Sequence, residues 1–337
     1  MQQTTNLLLT GASGAIGYEV LQLLESDPHP FNITIFDLES RNNIRKLKPF
    51  QDRVKIVYGD IRDKEDVYSV CKDQDVVIHL AAIIPPLADE APELARRVNV
   101  LGTKNLVTCL EELSPDAFLL YSSSVGIYGD RLENPYITID DPIPYSSLDA
   151  YSKTKVDAET IIKESDLNWS IFRLSAIMGK HRMSKLLFHM PLATSLEIST
   201  PAETANALVR AIWKKEELNR RIFNLGGGKS KRTTFEKYLE RSFAIFGLGK
   251  LDFPDHAFAS RNFHCGYYKD GDELEEILGF RTGTLEDHFQ EIDRSTPLIQ
   301  KWFTRLFRGM IKRRLLKESE PYKAFLSGDK KEMARFF

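Results

Sequence analysis

Three glycines fall at every third position in Thr10-Gly11-Ala12-Ser13-Gly14-Ala15-Ile16-Gly17, between a short apolar run and a helical repeat. Asn6 to Thr10 form the run, and Ile16, Val20, Leu21, Leu23 and Leu24 return at helical spacing, so the segment reads as strand, tight turn and helix. Glycine there lets the backbone turn sharply and come close to a ligand. The exposed N–H groups and the positive end of the helix dipole then form an anion site that needs no lysine. Asp37 follows 20 residues after Gly17, at the end of a second apolar run, where a carboxylate accepts hydrogen bonds from an adenosine ribose. The pattern points to a dinucleotide held by Gly11, Ser13, Gly14, Ala15, Ile16 and Gly17 together with Asp37. A carboxylate repels a 2′-phosphate, so NAD is favoured over NADP, with Arg41 as a residue that could partner such a phosphate.

Further strand-like runs occur at residues 33–36, 54–58, 76–80, 118–121 and 169–174, with helical or charged stretches between them. This alternation predicts an α/β fold with a doubly wound parallel sheet covered on both faces by helices. A later run at 221–225 ends in three glycines and predicts a strand that returns to the sheet. The expected organisation is a dinucleotide domain over 1–174, a small substrate lobe over 175–297 and a helical tail over 298–337. Thr233-Thr234-Phe235-Glu236 carries the pattern of a helix-capping box.

A length of 337 residues leaves room for about two lobes, and 42% hydrophobic with 28% charged residues excludes a disordered or fibrous chain. The net charge of −2 argues against a nucleic-acid binder. Cys71, Cys109 and Cys265 lack CxxC spacing, so neither a disulfide framework nor a zinc site is expected. His181, His189, His256 and His264 lack ligand spacing as well, and no metal is expected. Without a basic, apolar leader or a spanning tract, a cytoplasmic setting is the natural one.

Tyr151 and Lys155 stand four apart in Tyr151-Ser152-Lys153-Thr154-Lys155, which puts them on one helix face. A nearby ammonium favours the phenolate, so Tyr151 could exchange a proton with an alcohol or a carbonyl. Tyr121-Ser122-Ser123-Ser124 lies at the end of an expected strand, where doubly wound sheets place their ligands and a hydroxyl can orient a substrate oxygen.

With Gly59-Asp60-Ile61, His79-Leu80-Ala81-Ala82, Asn99-Val100-Leu101-Gly102-Thr103 and Ser122-Ser123-Ser124-Val125-Gly126-Ile127-Tyr128-Gly129 added in order, the chain resembles the extended short-chain dehydrogenase/reductase family. That group contains NAD-dependent sugar epimerases and dehydratases and 3β-hydroxysteroid dehydrogenases. The resemblance covers roughly residues 5–290 and implies a Rossmann-type sheet with a small C-terminal lobe. It implies that Ser124, with its neighbour Ser123 as the alternative, is catalytic together with Tyr151 and Lys155, and that Lys155 also holds the nicotinamide ribose. It places Asp60 and Ile61 beside the adenine, Ala81 and Ala82 along the dinucleotide, and Asn99 among the groups that hold it. A homodimer is implied as well.

The resemblance weakens after residue 174. Arg173-Leu174-Ser175-Ala176 has Ala176 where sugar-nucleotide enzymes carry an asparagine, and only residues 180–196 separate this turn from the next landmark. A short pocket with Met183, Leu186, Leu187, Phe188, Met190 and Leu192 as candidate lining suggests a relatively apolar secondary alcohol or ketone. The competing readings are a nucleotide-sugar epimerase or dehydratase that retains its NAD, and a dinucleotide-sensing regulator without turnover.

The last segment is electrostatically distinct. Residues 298–337 carry 11 Lys/Arg against 4 Asp/Glu, and between 298 and 317 there is no acid. Leu298, Ile299, Trp302, Phe303, Leu306, Phe307, Met310, Ile311, Leu315 and Leu316 recur at helical spacing, interleaved with seven cations. Two roles are open for this helix: docking on the body or a second subunit, or lying peripherally in an anionic membrane interface.

Overall fold

Apolar runs in this chain become strands buried on both faces, because helices cover the sheet on each side. The computed structural model describes residues 4–179, 185–261 and 264–337. The strands are β1 (Thr5–Thr10), β2 (Phe31–Asp37), β3 (Lys55–Tyr58), β4 (Val76–His79), β5 (Phe118–Ser124), β6 (Asn168–Leu174) and β7 (Arg221–Leu225). They lie in the order β7-β6-β5-β4-β1-β2-β3, every pair parallel. β5 runs past Tyr121, the end expected from sequence, because Ser122, Ser123 and Ser124 pair in register with Phe172, Arg173 and Leu174. Polar residues hide this extension from a reading based on apolar runs.

Helices α1 (Ala15–Ser26) and α4 (Pro201–Ala211) pack together on one face, where Val20, Leu21, Leu24, Ala205 and Leu208 join the core. On the other face α2 (Gly102–Leu113) and α3 (Ala150–Glu164) bury Leu106, Leu110, Ala158 and Ile162. Thr200 and Glu203 form a reciprocal capping box that starts α4, with Pro201 in its first turn. The sheet layer thus includes a helix and a strand that lie beyond residue 174 in the chain.

A second core gathers around a three-stranded sheet of Ala176–Ile177, Ser195–Ser199 and Arg232–Thr234 and the helices α5 (Phe235–Phe246) and α6 (Leu285–Ser295). The capping pattern at residues 233–236 shifts by one residue. Thr234 caps α5 by accepting from the Lys237 amide, while Thr233 stays in the strand opposite Leu196. The tail forms α7 (Leu298–Leu316) and the short helices Glu320–Ser327 and Lys330–Phe336. Ser319 donates to the Ala257 carbonyl at 2.7 Å, and the Ser260 amide donates to Phe336, which ties the chain end to the body. Among the described residues no helix is long and apolar enough to cross a membrane.

The strand order reverses between β1 and β4, whose ends meet in register at Thr10 and His79. Crevices at such reversals are where open α/β sheets bind ligands. Gly11 adopts φ +73°, and a Cβ on it would lie 2.7 Å from the Ala81 amide nitrogen. A Cβ on Gly17 would lie 2.3 Å from the Gly11 carbonyl oxygen, so α1 starts against its own turn. Gly17→Ala is expected to destabilise the fold by about 1–3 kcal/mol in urea unfolding, because backbone rather than a side-chain tip must move. Gly309→Ala, with nothing within 4 Å of its added methyl, is expected to stabilise α7 by up to ~1 kcal/mol, measured by amide exchange in that helix.

Candidate active site

The glycine turn and Asp37 come together as the spacing suggests. Asp37 Oδ2 accepts from the Ser13 amide at 2.8 Å, and Oδ1 accepts from the Leu38 amide at 2.9 Å and from Asn43 Nδ2 at 3.1 Å. The carboxylate is therefore fixed against the turn and keeps some acceptor capacity, since an ionised carboxylate offers about four lone-pair sites. Lys46 Nζ donates to the Ser13 carbonyl at 2.8 Å from the other side. Neither Asn43 nor Lys46 was legible as a site residue, because no pattern in the sequence marks a helix that folds back onto the turn. Arg41 is exposed at the start of that helix, Arg41–Leu47.

The cradle suits a dinucleotide pyrophosphate. α1 begins at Gly14 without a side-chain cap and carries no acid in its first turn, so its leading amides and dipole are left to an anion. Ser13, Ala15 and Ile16 belong to this same turn and first helical residues. The end of β3 adjoins it, since the Gly59 amide donates to the Asp37 carbonyl at 3.0 Å. Asp60 beyond it grips the Arg62 guanidinium, which holds its carboxyl below the usual range. Ile61 is buried against Gly102. Ala81 and Ala82 follow β4 in half-buried positions.

From the cradle a continuous line of hydrogen bonds reaches the helix of Tyr151. The Ala81 amide donates to Thr10 Oγ1 at 3.2 Å, and Thr10 Oγ1 lies 2.8 Å from His79 Nδ1. His79 Nε2 lies 3.0 Å from Thr103 Oγ1, whose own proton goes to the Asn99 carbonyl at 2.7 Å. Thr103 has spent its hydrogen, so the network assigns the imidazole proton to Nε2 and leaves Nδ1 as acceptor. Burial lowers the His79 pKa to about 3, in keeping with a neutral ring. Asn99 Nδ2 donates to the Ile83 carbonyl and to Thr154 Oγ1, both at 2.9 Å, and Thr154 donates to the Tyr151 carbonyl at 2.7 Å. The structure thus shows Asn99 bonded to protein groups that join the loop after β4 to α3.

Tyr151 and Lys155 do share one face of α3, which Asp149 caps by accepting from the Ser152 amide. Lys155 is 3% exposed, its Nζ donates to the Ser122 carbonyl at 2.8 Å, and it lies 5.9 Å from the centroid of the Tyr151 ring. Burial lowers the Lys155 pKa to about 8, with Glu159 one turn on opposing the shift. Tyr151 is half-buried, and enclosure of its phenol raises the pKa, against which the neighbouring Ser124 hydroxyl pulls it down. Ser124 also caps the turn after β5 by accepting from the Gly126 amide at 3.1 Å. Hydroxyl, phenol and ammonium therefore converge at the carboxyl end of β5.

Below them lies a buried pair that sequence reasoning left out. Arg173 Nη2 meets Glu159 Oε2 at 2.9 Å, and Arg173 Nη1 donates to Tyr128 Oη, which donates in turn to Asn224. The pair fixes α3 to β6, one turn from Lys155. Residues proposed from sequence as pocket lining mostly serve packing instead: Phe188 is wholly buried between Phe253 and Phe258, and Met190, Leu187 and Leu192 belong to the second core. Leu186 is half-buried, and Met183 lies outside the described residues. Among the described residues no three His, Cys, Asp or Glu side chains are grouped to hold a metal ion.

Comparison with known proteins places this arrangement. The model of the NAD dependent epimerase/dehydratase family matches residues 7–196. The chain is 26% identical over 163 residues to 3 beta-hydroxysteroid dehydrogenase type 7 of Mus musculus, a match covering 47% of this chain and 44% of that one. It is 32% identical over 162 residues to dTDP-glucose 4,6-dehydratase of Mycolicibacterium smegmatis, covering 47% of each. The matches therefore span about half the length of these relatives. The crystal structure of dTDP-glucose 4,6-dehydratase from Bacillus anthracis in complex with NAD has a TM-score of 0.70 at 19% identity, covering 86% of this chain and 96% of that one. That likeness concerns the fold.

The depressed lysine has a thermodynamic consequence. Unfolded, Lys155 holds its proton up to about pH 10.5, whereas folded it releases it near pH 8. The cost of burying the ammonium is complete below pH 8 and fades as pH rises towards 10.5. Relative to Lys155→Met, the wild type is expected to gain about 1–2 kcal/mol between pH 8 and 10, read from paired urea unfolding curves. Parallel curves at both pH values would show that the lysine titrates normally.

Proposed function

The chain belongs to the NAD-dependent epimerase/dehydratase family, and on that premise we propose that it is an NAD-dependent oxidoreductase acting on a secondary alcohol or ketone of a relatively apolar small molecule. The observation that carries this reading is the convergence of Ser124, Tyr151 and Lys155 at the carboxyl end of β5, in the same sheet whose β1 leads into the uncapped start of α1. NAD, when bound, supplies the hydride acceptor or donor at its nicotinamide ring.

The side chains divide the remaining work. Gly11, Gly14 and Gly17 leave room for the phosphates, and Asp37 takes the adenosine ribose. Asp60, Ile61, Ala81 and Ala82 line the path, while Asn99 holds the Ile83 loop and α3 in register. Ser124 donates to the substrate oxygen. Tyr151 accepts the hydroxyl proton when an alcohol is oxidised and returns it when a ketone is reduced. Lys155, oriented by the Ser122 carbonyl, lowers the cost of the phenolate and reaches for the nicotinamide ribose. General acid–base help of this type is worth roughly 10²- to 10⁴-fold.

Support for an apolar substrate comes from Ala176, half-buried after β6 where the resemblance places an asparagine in the sugar-nucleotide enzymes. The second reading, a nucleotide-sugar epimerase or dehydratase that oxidises and re-reduces its substrate on a retained cofactor, is favoured by the 32% identity to the dTDP-glucose dehydratase. Stoichiometric NADH release from a hydrophobic secondary alcohol supports the first reading. NAD that co-purifies and gives no net NADH while a nucleotide sugar is converted supports the second.

Tyr151→Phe is expected to lower turnover by about 10²-fold or more while NAD affinity changes less than about twofold in calorimetry. Equal turnover in the variant would remove Tyr151 from the reaction. Asp37→Ala is expected to weaken NAD about tenfold or more and to relax the preference against NADP, measured by the ratio of the two dissociation constants.

A further inference from the structure

Helix α7 meets the protein along one narrow side. Lys301, Thr304, Ile311, Lys312 and Leu315 are partly buried, and at about 100° per residue they share one side of the helix. Lys301 pairs with Asp293 at 2.8 Å, Lys312 pairs with Asp252, and Ile311 packs against the second core. None of the 19 residues of α7 is fully buried.

The opposite side faces solvent with large apolar groups. Ile299 is 68% exposed, Trp302 60%, Leu306 60% and Met310 68%, and the Phe303 ring centroid lies 5.1 Å from that of Trp302 and 6.4 Å from that of Phe307. Isolated apolar residues on a surface need no explanation, but a contiguous aromatic and aliphatic face does. Towards the C-terminus this same side continues into Arg313, Arg314 and Lys317, which form no ion pair with the described residues among the pairs within 4 Å. Leu306, Phe307, Met310, Arg313, Arg314 and Lys317 border one open hollow of about 780 Å³ together with Gly309 and a single acid, Glu318, so rings lie on a common surface with three cations against one carboxylate.

We propose that this exposed face of α7 binds the surface of an anionic lipid bilayer. It goes beyond the reaction proposed above and does not depend on it. The occupant follows from charge. Residues 298–317 hold seven cations and no acid, although the whole chain is net −2, so this end is drawn to an anionic surface while the acidic remainder is repelled. In the interface, Trp302, Phe303, Phe307 and Met310 enter the acyl boundary, and Arg313, Arg314 and Lys317 stay at the level of the phosphates. A second copy of α7 fits this face less well. Packed parallel, it would set cations against cations; packed antiparallel, it would press Arg313 and Arg314 onto the apolar end near Ile299 with no acid to pair them. The docked side fixes the helix parallel to the body surface, so a membrane binds the protein without unfolding it.

The test is sedimentation of the full chain with phosphatidylcholine vesicles, with and without phosphatidylserine. The protein is expected to pellet with phosphatidylserine vesicles at low salt, to be released at high salt, and to stay in solution with phosphatidylcholine alone. Trp302→Gln/Phe307→Gln and Arg313→Glu/Arg314→Glu should each weaken binding about tenfold or more. All four positions are exposed, and matching circular dichroism and melting temperature show that the variants are folded. Absence of pelleting, equal pelleting with neutral vesicles, or undiminished binding by either variant overturns the proposal. So does a concentration-dependent doubling of mass that is lost in Trp302→Gln/Phe307→Gln without vesicle binding, which would give the face to a second copy.

Discussion

The close approach of the Gly11 backbone to Ala81 is the constraint on which the site depends. It brings the turn after β1 against the segment after β4 at the point where the sheet reverses its order. A side chain at Gly11 would separate the two, and both the phosphate cradle and the start of the Thr10–His79 line would be lost. From this contact the hydrogen bonds run through Thr103, Asn99 and Thr154 to the backbone of Tyr151. One end of that line is the glycine turn proposed to hold the dinucleotide, and the other is the backbone of Tyr151, proposed to move the proton. The two proposed roles are thus tied together by one buried network of hydrogen bonds rather than by independent loops.

Burial governs the electrostatics of the site. It holds His79 neutral, lowers Lys155 and raises Tyr151, so each group is biased towards its uncharged form. Glu159 and the Ser124 hydroxyl work against that bias at Lys155 and Tyr151 respectively. Elsewhere, where charge is buried it is paired. Arg173–Glu159 joins α3 to the sheet, Lys231–Glu203 joins α4 to the turn before Arg232, and Glu197 takes Arg232 along with the Gly228 and Tyr268 amides. Such pairs are weak sources of net stability, but losing one partner leaves a bare charge, so each holds the elements it joins in one arrangement.

Elements built from local pattern were readable in the sequence. The strands announced themselves as apolar runs, the glycine turn and Asp37 by their spacing, and Tyr151 and Lys155 by the four-residue repeat of a helix. The extension of β5 through three serines was not readable, because polar residues at a strand end look like a loop until a neighbouring strand pairs with them. Nor were Asn43, Lys46 and Arg173 readable as supports, since each acts across at least six residues of chain. The apolar residues at 186–192 looked like pocket lining and turned out mostly to be packing, because hydrophobicity does not say which surface a side chain will cover.

The tail shows the same division. Sequence alone determined an amphipathic, acid-free helix at 298–317, because periodicity and charge are properties of neighbouring residues. Only the tertiary structure decided that Ile311 and Lys312 would turn to the body while Trp302, Leu306 and Met310 would face outward. It likewise decided the protonated nitrogen of His79, the depressed Lys155 and the partners of Asn99. Each of these depends on which distant groups share a dry environment, and distance along the chain carries no record of that.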